Sequence, residues 1–131
     1  MKKISVIVCL LILFLSISWA ANSQTKGNDA PVLKRVMLMK YKPEVKEEAI
    51  KEVRDLFCGL PKKVPGMLSA EWGTDSDFSR EKVYTYCITL TFESLEARKE
   101  YEQHPDHQKL AETGPDMVEN FYLIDYWTGE E

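Results

Sequence analysis

Residues Val83–Phe92 read "VYTYCITLTF", and the layout of the chain follows outward from them. Tyr84, Tyr86, Ile88, Leu90 and Phe92 alternate with Thr85, Cys87, Thr89 and Thr91. A period of two sends the two sets to opposite faces of an extended chain, and the run is rich in aromatic and β-branched residues that suit a pleated surface. A strand is expected over Val83–Phe92 with its larger side chains turned to a core. Ser94, two residues on, is a good helix N-cap and opens a helix over Leu95–Gln103.

The next stretch, Tyr101–Leu110 "YEQHPDHQKL", holds both histidines of the chain. Proline disfavours helical geometry at the residue before it and suits the first position of a new helix, so a break is expected at His104 and a fresh start at Pro105. The new helix passes Leu110 and is interrupted at Gly114-Pro115, heading toward Val118. A last strand, Phe121–Trp127, closes the chain. Upstream, Val32–Lys42 "VLKRVMLMKYK" alternates Leu33, Arg35, Met37, Met39 and Tyr41 with Val36 and Leu38, a second strand pattern. From Glu44 the apolar spacing lengthens to Val45, Ala49, Ile50, Val53, Leu56, Phe57 and Leu60, the stripe of an amphipathic helix ended by Gly59, Pro61, Pro65 and Gly66. Met67–Thr74 reads as another strand, followed by the polar turn "DSDFSREK". The order is β-α-β-β-α-β, which predicts an α+β, ferredoxin-like sheet with its helices on one side.

Ahead of this domain, Met1-Lys2-Lys3 precedes an apolar run from Ile4 to Ile17 and then Ser18-Trp19-Ala20, the pattern of a secretory signal peptide. Cleavage after Ala20 is expected, giving a secreted or periplasmic protein; an uncleaved anchor is the alternative, because the run lies at the lower edge of spanning length. Residues 21–31 are a polar lead-in and 32–128 the folded domain. Losing Lys2 and Lys3 would take the net charge from −4 to about −6, since no acidic residue goes with them. A negative chain without a basic stripe is a poor partner for nucleic acid. After cleavage no membrane partner is expected. Cys58 and Cys87 survive cleavage but nothing in the pattern brings them together, so two buried free thiols are expected.

The segments "VLKRVMLMKYKPEV", "YTYCITLTFESLEARKEYEQHPDHQ" and "FYLIDYW", with their T-F-E-S strand end and H-P-x-H corner, resemble the stress-responsive A/B-barrel (Dabb) family. The resemblance spans about residues 32–127. It implies a ferredoxin-like protomer that pairs sheet to sheet as a homodimer, a dimeric α+β barrel. It also implies a route to function, since one plant member is a polyketide cyclase that works without a cofactor. That enzyme's catalytic tyrosine and histidine fall on Tyr101 and His107, and a pocket aspartate falls on Asp125. Two further pocket histidines fall on Arg35 and Tyr86, so the polar surroundings differ.

The residues themselves lead to the same corner. His107 would be the third residue of a helix opened by Pro105, where a neutral imidazole suits the positive end of the helix and is available as a base. Tyr101, in the last turn of the preceding helix, supplies a hydroxyl nearby. Alternation places Arg35, Met37, Met39 and Tyr41 with Tyr84, Tyr86, Ile88 and Leu90 on the helix face, a lining suited to a flat or acyl-chain-bearing molecule. Arg35, Met37, Met39, Tyr86 and Asp125 are therefore candidate ligand-binding residues. Arg35 needs a partner on so apolar a face, either Asp125 or a ligand carboxylate. His104 and His107 flank a corner with no evident third ligand, so no metal is expected. No phosphate loop, nucleophile elbow or CxxC pair is present to support nucleotide, hydrolase or thiol-redox chemistry. Three classes stay open: a small-molecule binding protein, a cofactor-independent acid-base enzyme using Tyr101 and His107, and a structural or stress-response dimer without chemistry.

Overall fold

The computed structural model describes residues 30–76 and 82–129; the signal-peptide reading and most of the lead-in fall outside them. Strand β1 (Leu33–Tyr41) leads to helix α1 (Glu47–Gly59), a short 3-10 turn (Leu60–Lys62), strand β2 (Met67–Thr74) and strand β3 (Tyr86–Phe92). Helices α2 (Leu95–Gln103) and α3 (Pro105–Met117) follow, and strand β4 (Val118–Trp127) ends the domain. The sheet order is β2-β3-β1-β4, with all three neighbouring pairs antiparallel. This is the ferredoxin-like α+β arrangement expected from the sequence.

Strict alternation in β1 buries Leu33, Arg35, Met37, Met39 and Tyr41 and leaves the residues between them half-buried. The core forms where this face meets Ile88, Leu90 and Phe92 of β3 and the helix residues Val53, Phe57 and Tyr101. Leu60, Leu90 and Phe92 lose all contact with water, and each such side chain contributes roughly 1.5–3 kcal/mol of apolar burial. The helices leave β4 bare. On its helix side Phe121, Leu123 and Trp127 are 51, 38 and 37% exposed, and on the other side Tyr122, Ile124 and Tyr126 are 53, 46 and 44% exposed.

Several boundaries differ from expectation. Helix α1 starts at Glu47 rather than Glu44, because Pro43 opens a turn in which Val45 N donates to Lys42 O (3.1 Å). The β3 ladder starts at Tyr86, leaving Val83 and Tyr84 outside it, although Thr85 still bonds Met39 O (2.9 Å) and accepts from Asp75 N (2.8 Å). Helix α3 is not interrupted at Gly114-Pro115 but continues to Met117. Pro115 sits in its last turn, where its ring withdraws the one N–H that would otherwise donate to the carbonyl of Ala111. That end is closed from outside, by Lys42 N to Met117 O (3.0 Å) and Lys42 Nζ to Asp116 O (2.8 Å). The two described cysteines are free, but they are not buried: Cys58 is exposed and Cys87 half-buried. Cys58 follows core residue Phe57, so it lies about 100° round the helix from the apolar stripe, and Cys87 points to the open face of the sheet.

Candidate functional site

The site is made by a break in a helix. Ser94 accepts a hydrogen bond from Ala97 N (3.1 Å) and starts α2, an N-cap worth about 1 kcal/mol. His104, extended at φ −67° and ψ 136°, ends α2 and begins α3. Its N–H donates to Tyr101 O (3.2 Å), its carbonyl accepts from Gln108 N (3.0 Å) and its Nδ1 accepts from Asp106 N (3.1 Å). His104 therefore serves the corner. Asp106, in the first turn of α3, is paired with Lys63, whose hydrogen bond holds its carboxyl below the usual range.

The break folds α3 back on α2 and brings Tyr101 against His107, ring centroids 4.3 Å apart and inclined by 50°. On a continuous helix these residues would stand about 9 Å apart along the axis and about 120° apart around it. Nδ1 of His107 lies 3.0 Å from the carbonyl oxygen of Glu102. A carbonyl only accepts, so Nδ1 carries the proton and donates, which leaves the Nε2 lone pair of a neutral ring for another molecule. Tyr101 is 1% exposed, packed on Phe92 at 5.3 Å. Burial raises its phenol to about 12, against the opposing pull of the Arg35 guanidinium. The hydroxyl thus stays protonated at neutral pH and keeps a proton that it can donate.

Both rings line a cavity of about 400 Å³ between α3 and the β1–β4 side of the sheet. Arg35, Met37 and Met39 contribute from β1, Phe57 from α1, and Leu110 and Gly114 from α3; Phe121 and Leu123 of β4 form its outer wall. Arg35 and Asp125 face each other in the β1–β4 register. Their ion pair is bidentate, Arg35 Nε and Nη2 donating to the two carboxylate oxygens at 2.8 and 2.9 Å. That bond raises Arg35 further and holds Asp125 below the ordinary carboxylate range, in both cases against the effect of burial. Arg98 adds a second cation, its Nε 3.3 Å from Asp125 Oδ2. That contact is close enough for an ion pair, yet it is off-line and leaves the buried Nε without a hydrogen bond.

Of the candidates named from the sequence, Tyr101, His107, Arg35, Met37 and Met39 meet at this cavity. Asp125 reaches it only through Arg35. Tyr86 does not belong to it: its ring packs on Tyr41 (5.4 Å) and Trp72 (5.3 Å). The reason is topological, since Tyr86 is on β3 and the cavity lies on the β4 side of β1. The α3 lining and the β4 wall were missed, although their signals are present. His107, Leu110, Ala111 and Gly114 share one helical face by spacing, and Phe121, Leu123 and Asp125 share one strand face. Arg98 gave no signal, being one charge among several on an exposed-looking helix.

A one-sided ferredoxin-like sheet with a small, largely apolar cavity under its helices defines the class of protein. The chain belongs to the Stress responsive A/B Barrel Domain family, Dabb, whose pattern matches residues 33–128. It is 28% identical over 95 residues to olivetolic acid cyclase from Cannabis sativa, covering 72% of this chain and 94% of the cyclase. It is 32% identical over 95 residues to the stress-response A/B barrel domain-containing protein HS1 from Arabidopsis thaliana, covering 72% and 87% of the two chains. Among solved structures, a ferredoxin-like protein from Jannaschia, described as dimeric, matches with a TM-score of 0.66 at 23% identity over 72% of this chain and 97% of its own.

Proposed function

We propose that this is an exported, homodimeric Dabb protein that binds a small, partly apolar or aromatic molecule in the Arg35–Tyr101–His107 cavity and has the groups for acid-base chemistry of the polyketide-cyclase type. The observation that carries the reading is the contact of Tyr101 and His107 inside one apolar cavity. In such chemistry Nε2 of His107 takes a proton from a carbon activated by neighbouring carbonyls. The resulting carbanion attacks a carbonyl carbon, and the Tyr101 hydroxyl donates to the oxygen that becomes negative. The cyclase relative supports this direction. The homodimer is supported by the bare apolar face of β4 and by the dimeric neighbour; export is supported by the Met1–Ala20 pattern.

A second reading, a stress-response dimer without chemistry, draws support from the near-complete burial of Tyr101 and from the HS1 relative. Titration of the purified protein with a panel of aromatic and β-keto acids, followed by product analysis, separates the two. Saturable binding with conversion supports the enzyme, and saturable binding without conversion supports a binding protein. No binding by the wild type overturns the cavity reading. N-terminal sequencing of protein recovered from the medium or periplasm tests export, with Ala21 as the expected first residue.

A further inference from the structure

We propose that the cavity selects carboxylic acids, the ligand's anion docking end-on to Arg35 while its apolar body lies along Met37, Met39 and Phe57; this rests on the cavity being a small-molecule site. A guanidinium is a planar fork with two edges, each of which matches a carboxylate. Asp125 occupies the Nε–Nη2 edge of Arg35. Among the described residues no second carboxylate pairs with Arg35, so the N–H donors not used by Asp125, which lie by the Tyr101 hydroxyl, are the ones another anion would meet.

Charge points the same way. Asp125 is divided between two guanidiniums, those of Arg35 and Arg98, so the trio carries one net positive charge at the inner wall of an apolar cavity. Glu102 pairs with Arg98 (2.9 Å) and brings the four groups to a net charge of zero, but it is 42% exposed whereas the Arg35 side chain is 8% exposed, so Arg35 is the charge that meets the cavity. The chain as a whole is negative and repels anions at long range. Discrimination therefore falls to this one desolvated cation, where a charged hydrogen bond is short and strong. An anion held there lies beside the Tyr101 ring, whose centroid is 5.9 Å from the Arg35 guanidinium carbon. That places the rest of an acyl or aryl ligand along Met37, Met39 and Phe57, beside the touching rings of Tyr101 and His107.

The test is calorimetric titration with 4-phenylbutyrate and with 4-phenylbutanamide, which share size and apolar body and differ in charge. Wild-type protein is expected to bind the acid at least about tenfold more tightly than the amide. Arg35→Met should abolish that preference, bringing acid affinity down to that of the amide measured on the same variant. Should Arg35→Met fail to fold in a circular-dichroism melt, Arg35→Lys decides: it keeps the charge but loses the fork, and should weaken acid binding about fivefold or more with the amide unaffected. Equal wild-type affinities for acid and amide, or acid binding unmoved in the variants, overturn the inference and leave the cavity reading standing. Binding of neither compound overturns both.

Discussion

Tyr101 and His107 touch ring to ring at 4.3 Å across a helix break whose pivot, His104, uses its own imidazole to cap the second helix. The two histidines of one short motif thus have separate duties: one shapes the corner and the other faces the cavity. Substitution distinguishes these duties.

Tyr101→Phe keeps the ring against Phe92 and His107 and removes only the hydroxyl, so stability should change by less than about 1 kcal/mol. His107→Ala loses the bond to Glu102 O and the ring contact, together about 1–2 kcal/mol. Both should weaken ligand binding or turnover at least about tenfold, the equivalent of one charge-assisted hydrogen bond. Thermal melts and titrations on the same samples check this; unchanged affinity in both variants would remove the pair from the site.

Asp125 sets an acid limit. Its folded-state carboxyl is held below its unfolded value, chiefly by the Arg35 bond, so this contribution is complete above about pH 4 and is lost as pH falls through the folded value. Asp125→Asn should flatten the stability curve in that acid range. Asp125→Ala, which strands Arg35, should cost stability at neutral pH near the lower end of about 3–5 kcal/mol, because Asp125 is partly exposed. Urea unfolding across pH is the measurement, and an acid limb identical in Asp125→Asn would refute the assignment.

At the alkaline end, burial raises both Tyr41 and Tyr101 to about 12. An unfolded tyrosine ionises near pH 10, so these two contribute stability below that pH and lose it as pH rises through about 12. Phenolate absorbance should show a high-pH step that shrinks in Tyr41→Phe and again in Tyr101→Phe. A titration with no component above pH 11 would contradict the burial of these hydroxyls.

Gly66 has φ +76°, and a Cβ there would come within 2.7 Å of both Ala97 Cβ and Glu93 Oε1. Its carbonyl accepts from Glu93 N (2.9 Å), just ahead of the α2 cap. Gly66→Ala is expected to cost at least about 1–3 kcal/mol, from backbone strain plus displacement of α2. A melting temperature equal to wild type would be the contrary result.

The open sheet face predicts assembly. Wild-type protein should sediment at twice the protomer mass, and Ile124→Glu, which places a charge among Tyr122, Tyr126 and Leu38, should give a folded monomer. Sedimentation equilibrium at micromolar concentration reads both, and a monomeric wild type would defeat the barrel.

The sheet was legible because β3 alternates apolar with more polar positions and β1, Arg35 apart, carries apolar residues at every other position, and a one-residue slip in register would turn their apolar set outward. The helix corner was legible because proline leaves its neighbour few conformations. Tyr86 was misassigned because alternation fixes a face but not which side of β1 a cavity occupies. The run through Pro115 was unreadable locally, since it depends on Lys42, 73 positions earlier, closing the helix end. The Arg35–Asp125 pair was within reach because both residues broke an apolar pattern, yet the register that sets them opposite each other came only from the folded sheet.

Strand β4 has a further consequence. Phe121 and Leu123 form the cavity's outer wall, while Tyr122 and Ile124, each one residue away, point to the open face. With the helices covering neither side, one ribbon serves two binding surfaces. If a second subunit and a small molecule each steady that ribbon, their free energies of association are coupled, and reciprocity holds: whatever factor the ligand applies to subunit affinity, the subunit applies to the ligand.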